Sequence, residues 1–289
     1  MTNTALAAFL VRLLPALAML LLPACTPASD GFRFRGEAQQ IAAKSGFSAL
    51  PLEGGGLRLA AFVKNGPGQD LVVYIEGDGR AFLNRNTPSP DPTPGDQLVL
   101  RLAGLDPAPK ILYLARPCQF TMDENPECFQ YLWTSARYGR KAVSALSQGL
   151  DQAKLLLGAT RLHLVGYSGG GAMAVLLAAG RTDVADILTV SGNLDTAAWT
   201  AHHNISPLGE SLNPADFAQA VAAIPQTHIT GANDTVVPGF LCRRYLERTG
   251  KPGQARCVEV EGIAHGKGLE ARWPSLLHVH RGGLAAPAP

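Results

Sequence analysis

Ser168 stands in the run Gly166-Tyr167-Ser168-Gly169-Gly170, between the apolar stretch Leu162-His163-Leu164-Val165 and the small-residue stretch Gly171 to Ala179. A buried strand that passes through a glycine-flanked serine straight into a helix is the setting of a nucleophile elbow. The turn is so tight that the serine is held in a strained backbone conformation. Side chains two residues before and after it would collide, which accounts for glycine at 166 and 170. The helix that follows aims N–H groups and the positive end of its dipole at the reacting centre. The chemistry implied is covalent, because a serine hydroxyl is a poor nucleophile at neutral pH and needs an adjacent base to take its proton. A glycine-rich helix cap is the plainer alternative, and the strand and helix around the pattern favour the elbow.

These residues resemble the α/β-hydrolase superfamily, and the resemblance extends over most of the chain. It implies the α/β fold class, with a mostly parallel central sheet flanked by helices. It also implies a Ser–acid–His triad in that chain order, the acid after a late strand and the histidine in a loop after the last one. Thr227-His228-Ile229-Thr230 reads as a short strand leading into Gly231-Ala232-Asn233-Asp234, which is similar to the family's acid loop. A helical pattern follows from Phe240 to Arg248, then the strand Arg256 to Val260 and the glycine-rich loop Gly262 to Gly268, whose one histidine is His265. The expected triad is therefore Ser168, Asp234 and His265. Asp195, after the strand Ile187 to Val190, is the alternative acid. His163 and His228 fall inside strands and read as packed residues, while His202 and His203 fall in a connecting segment that faces solvent or rims the cleft. His278 and His280 are two residues apart but lack a third ligand, so no metal site is expected.

The resemblance also implies an oxyanion hole. One donor is the backbone N–H of Gly169, the residue after the nucleophile. The other belongs to the loop after the strand Leu71 to Ile75, that is Glu76-Gly77-Asp78-Gly79-Arg80. Relatives commonly begin this loop with His-Gly and use the next residue, which maps onto Asp78; here Glu76 replaces the histidine. A carboxylate at 78 would oppose an oxyanion unless it points away or pairs, for instance with Arg80 or Arg116.

The elements that must position these residues lie in one expected domain over 37–289. Two segments stand where a substrate site would be shaped: the proline-stiffened Thr87 to Pro94, and 194–225, a possible small cap holding Trp199 and a helical stretch from Pro214 to Ile224. Trp133, ahead of a helix expected to start near Ser135, reads as core more than pocket. Upstream, Leu13 to Leu22 is a nearly unbroken apolar run preceded by Arg12 and followed by Pro23-Ala24-Cys25. It is short for a transmembrane span and has the shape of a signal-peptide core. Its ending resembles a bacterial lipoprotein signal in which Cys25 becomes the lipidated first residue. A signal cleaved nearby and a retained anchor are the alternatives. Residues 26–36 read as a tether, and the expected location is the outer membrane, facing the periplasm.

Removing Cys25 leaves four cysteines, for which three pairings exist. Local pairing, Cys118 with Cys128 and Cys242 with Cys257, is the economical choice and suits an oxidising compartment. The 289 residues are 46% hydrophobic, enough for a full core, and carry a formal net charge of +2 without a basic run, which argues against nucleic acid as a partner. There is no dinucleotide or phosphate-binding glycine loop, and the chemistry needs no cofactor. The expected function is hydrolysis of an ester, of carboxylic type, borne on a small molecule or polymer, with the membrane as partner through the lipid. Peptidase, amidase or thioesterase activity with the same triad, and a silent binding lipoprotein, remain as alternatives. Oligomeric state is not legible.

Overall fold

The computed structural model describes residues 30–250 and 254–282. Eight strands form the central sheet: β1 (Ser48–Ala49), β2 (Ala61–Asn65), β3 (Asp70–Ile75), β4 (Lys110–Leu114), β5 (Arg161–Tyr167), β6 (Val184–Val190), β7 (Gln226–Gly231) and β8 (Ala255–Val260). Their spatial order is β1-β2-β4-β3-β5-β6-β7-β8. From β4 to β8 all neighbours are parallel, while β1 and β2 form an antiparallel edge. The parallel strands read as continuous apolar runs because both of their faces are covered. Along β3, Leu71, Val73 and Ile75 face one core, and Val72 and Tyr74 face the other.

Seven helices supply the two outer layers: α1 (Asp30–Lys44), α2 (Leu98–Leu105), α3 (Arg140–Leu157), α4 (Gly169–Ala179), α5 (Thr196–His202), α6 (Phe240–Thr249) and α7 (Leu269–Gly282). Residues of α3, α4 and α6 fill the first core, and those of α1, α2 and α7 fill the second. Residues 169–178 of α4 are all buried, since this helix packs on β5, β6 and β3 and is flanked by α3 and by the Pro214–Phe217 segment. That is why its sequence is small and apolar on every side rather than amphipathic. None of these helices is long and apolar enough to cross a membrane.

Both expected cysteine pairs are bridged. Cys118–Cys128 closes a loop after β4, with its Cα atoms 5.6 Å apart, and Cys242–Cys257 joins α6 to β8, with 6.2 Å between Cα atoms.

Three expectations need correction. The tether reading of 26–36 fails from Asp30 onward: Phe34, Ala38 and Ala42 recur at four-residue spacing and are buried, and the two alanines seat α1 on the second core. The helix expected near Ser135 starts at Arg140, behind a short 3₁₀ turn at Gln130–Trp133. In 214–224 only Pro214–Phe217 is helical, again as 3₁₀, with turns beyond it, although Ala218, Val221 and Ala222 are still buried. Cys25 and the apolar run before it lie outside the described residues.

Candidate active site

The C-terminal ends of β3, β5, β7 and β8 bring the candidate residues together, because parallel strands deliver their following loops to one edge. Ser168 stands between β5 and α4 with φ 52° and ψ −118°, a positive φ that a β-substituted residue adopts only under strain. The turn is fixed at both ends: the Ser168 N–H donates to the Val190 carbonyl at 2.9 Å, and its own carbonyl accepts from Gly171 and Asn193. A Cβ at Gly166 would run into the Gly170 backbone, and one at Gly170 would strike the Ile75 carbonyl. The two glycines are thus required by close approach, as the elbow pattern implies.

Asp234 and His265 meet Ser168 here. The Ala232 N–H donates to Val260 at 3.0 Å and the Asn233 N–H to Ile263 at 3.1 Å, which ties the loop after β7 to the loop after β8. His265 Nδ1 lies 2.9 Å from Asp234 Oδ2, and Nε2 lies 3.1 Å from Ser168 Oγ. With Nδ1–H donating to the carboxylate, Nε2 is left to accept the serine proton. Oδ1 of Asp234 accepts from the N–H groups of Val236 and Val237 at 2.9 and 2.8 Å. Burial would raise this carboxyl, but the His265 and Val237 hydrogen bonds outweigh it and hold the group below the usual range. It is ionised at neutral pH. Asp195 is engaged elsewhere: it caps α5 through the Ala198 N–H at 3.0 Å and accepts from Arg244 at 3.2 Å.

Asp78 sits directly against the elbow, since a Cβ on Gly169 would collide with its carboxylate. Its charge is met by Arg137 at 3.0 Å, Arg116 at 3.4 Å and the Tyr138 hydroxyl at 2.7 Å. Of the two partners considered from sequence, Arg116 is used; Arg80 instead pairs with Asp30 at 2.9 Å. Two guanidiniums to one carboxylate leave a net positive cluster beside the Gly169 N–H. Neither that N–H nor the Asp78 N–H has a protein acceptor among the described residues. Arg137 and Tyr138 were not found from sequence, because they lie in an irregular stretch without a motif. Arg116, by contrast, follows the end of β4, next to β3 in the sheet, which is how it reaches Asp78.

Glu76 is buried at the root of the same loop, accepting from the Tyr113 hydroxyl at 2.7 Å and the Gly77 N–H at 2.8 Å. Burial raises its carboxyl to about 7, against those two donors, which favour the charged form. The folded protein therefore keeps a proton that the unfolded chain releases near the ordinary value of 4.5. The contribution of this group to stability falls as pH rises from about 4.5 to about 7 and is constant above that, a loss of about 3 kcal/mol at most. Glu76→Gln removes the titration, and its amide can still pair with Gly77 and the Tyr113 hydroxyl. Thermal melts of the variant and wild type are expected to differ clearly at pH 8, with the variant more stable, and to converge at pH 5.

A cleft of about 710 Å³ lies over Ser168 and His265, walled by Arg80, Phe82, Tyr167 and Trp199. Phe82, Arg137, Trp199 and Val236 also line a second cavity of about 880 Å³ next to it. Trp199 comes from α5, within the segment read as a possible cap, and is fixed by a 2.7 Å bond from its indole N–H to the Val236 carbonyl. His203 bonds the same carbonyl at 2.8 Å and lines the second chamber. The proline-rich loop contributes Pro94 to the cleft, while Trp133 is a buried residue bonded to the Ser89 carbonyl.

The remaining histidines lie elsewhere. His228 is fully buried in β7, 2.8 Å from Thr189 Oγ1. His163 is only half-buried, at the opposite end of the sheet, where it and His280 flank Asp186 beside a cavity of about 530 Å³. His278 is exposed and His280 buried, so the two share no ligand face.

No family model matches the sequence, and no curated protein matches it. Solved structures do match. Est1E from Butyrivibrio proteoclasticus superposes with a TM-score of 0.57 at 14% identity, over 82% of this chain and 99% of its own. An esterase of Pyrococcus furiosus gives 0.58 at 12% identity, over 84% and 92%. An alpha-beta serine hydrolase homologue from Coxiella burnetii gives 0.56 at 16% identity, over 82% and 97%. At such identities the likeness is one of architecture, and with the strand order and elbow it leads to one conclusion: the chain has the α/β-hydrolase fold.

Proposed function

We propose that the protein is a serine hydrolase that cleaves a carboxylic ester through an acyl-enzyme. The observation that carries this reading is the unbroken hydrogen-bond chain from Ser168 Oγ through His265 to the ionised Asp234. Ser168 Oγ attacks the ester carbonyl as His265 Nε2 takes its proton. Asp234 holds the imidazole in the tautomer that leaves Nε2 free, and it stabilises the imidazolium that forms. The carbonyl oxygen becomes an oxyanion facing the N–H groups of Gly169 and Asp78, with the net positive Arg116–Asp78–Arg137 cluster behind them. Collapse returns the proton from Nε2 to the departing alcohol. Water, activated by the same imidazole, then releases the acid and restores Ser168.

The name of the Pyrococcus furiosus neighbour, an esterase, points the same way. Two bridged cysteine pairs support export to an oxidising compartment, and we extend the proposal to a lipid at Cys25 that holds the enzyme on the outer membrane, facing the periplasm. The test is a substrate panel: p-nitrophenyl esters of graded chain length beside peptide p-nitroanilides, thioesters and polysaccharide-borne esters. Turnover is expected on esters. Turnover confined to anilides or thioesters would reassign the leaving group, and none on any substrate would reject the hydrolase reading.

A further inference from the structure

The N-terminal end of the described chain is docked on the wall of the cleft. Asp30 pairs with Arg80, a residue of the cleft rim. Gly31 packs so closely on Asp91 that a Cβ would collide with its carboxylate, and Phe34 lies beneath Arg80 and against Gly95, which also lines the cleft. The chain therefore leaves the domain beside the mouth of the site, not from its back. Phe82, which lines the cleft on this side, is 39% exposed.

From Asp30 back to Cys25 is five residues, a reach of at most about 18 Å. A lipid at Cys25 would hold the mouth of the cleft close to the bilayer, within about that distance. A short tether raises the effective concentration of the site only towards substrates held in the same surface, and a freely diffusing ester gains nothing from it. Resting on the hydrolase reading and on lipidation of Cys25, we infer that the substrate is an amphiphile resident in that membrane. It would present an acyl ester at the headgroup level to a mouth that faces the bilayer.

The experiment uses the full lipidated chain in phosphatidylethanolamine–phosphatidylglycerol vesicles. It is compared with a variant in which a flexible Gly/Ser segment of about thirty residues is inserted between Ser29 and Asp30, a length whose mean span is about 30 Å. Two esters are assayed: water-soluble p-nitrophenyl butyrate, and 4-methylumbelliferyl palmitate dissolved in the bilayer. The insertion is expected to leave the soluble ester unchanged and to slow the bilayer ester by roughly fivefold or more, as the local concentration falls. Equal rates on the bilayer ester with either tether would overturn the inference. So would wild type that hydrolyses the soluble ester alone, or wild type that fails to float with the vesicles. Hydrolysis of neither ester would instead reject the hydrolase reading beneath it.

Discussion

Ser168→Ala is expected to abolish turnover of every ester the wild type accepts, by a factor of about 10⁶ when nucleophile and base act as a unit. The change deletes one hydroxyl from a residue at φ 52°, and alanine tolerates that backbone no worse than serine does. The turn itself is held by main-chain bonds to Val190, Gly171 and Asn193, none of which uses the side chain. Circular dichroism and the melting temperature should therefore match wild type closely. A variant that kept more than a few per cent of activity would show that another group attacks the carbonyl.

Asp234→Asn is the second large effect. An amide at 234 cannot balance the imidazolium, and its NH₂ can turn the imidazole so that Nε2, not Nδ1, carries the proton. The rate should fall by up to about 10⁴ with little change in KM. Asp195→Asn is the control. Its carboxylate is buried but serves the N-terminus of α5 and Arg244, so the expected cost is stability, about 1–3 kcal/mol, with kcat near wild type. Rates for the two variants, measured at 25 °C well below both melting points, check the ranking. A larger rate loss at Asp195 would move the acid to the loop after β6.

The residues that were legible in the sequence are those whose role is enforced locally. Gly166 is demanded by the backbone of Gly170 and Gly171, within a few residues of Ser168, while Gly170 is demanded by the end of β3, and both fall in one short recognisable stretch. Asp234 and His265 each follow a strand at the predicted place, and the order of strands brings their loops to one edge. The cysteine pairs were legible because each closes a short loop between consecutive elements. What could not be read depends on contacts distant along the chain. Arg137 and Tyr138 reach Asp78 from about sixty residues away, out of a segment whose conformation is irregular. The first turns of α1 carry Gly31, Gly36 and three charged residues that favour a tether reading, yet Phe34 and Ala38 find a surface built from α2 and the 91–95 loop. Tertiary packing overrides weak local preference there. Likewise, 214–224 has helical composition, but Pro225 and the entry into β7 leave it only a 3₁₀ turn and a series of tight bends.

The central claim is that Ser168 is a nucleophile activated by His265. Its most direct test is reaction of the folded protein with a fluorophosphonate, which phosphonylates an activated serine and is indifferent to the natural substrate. Intact mass should show one adduct per chain, and peptide mapping should place it on Ser168. The adduct should be absent in Ser168→Ala and form far more slowly in Asp234→Asn. An unlabelled wild type, or an adduct on any other serine, would contradict the account.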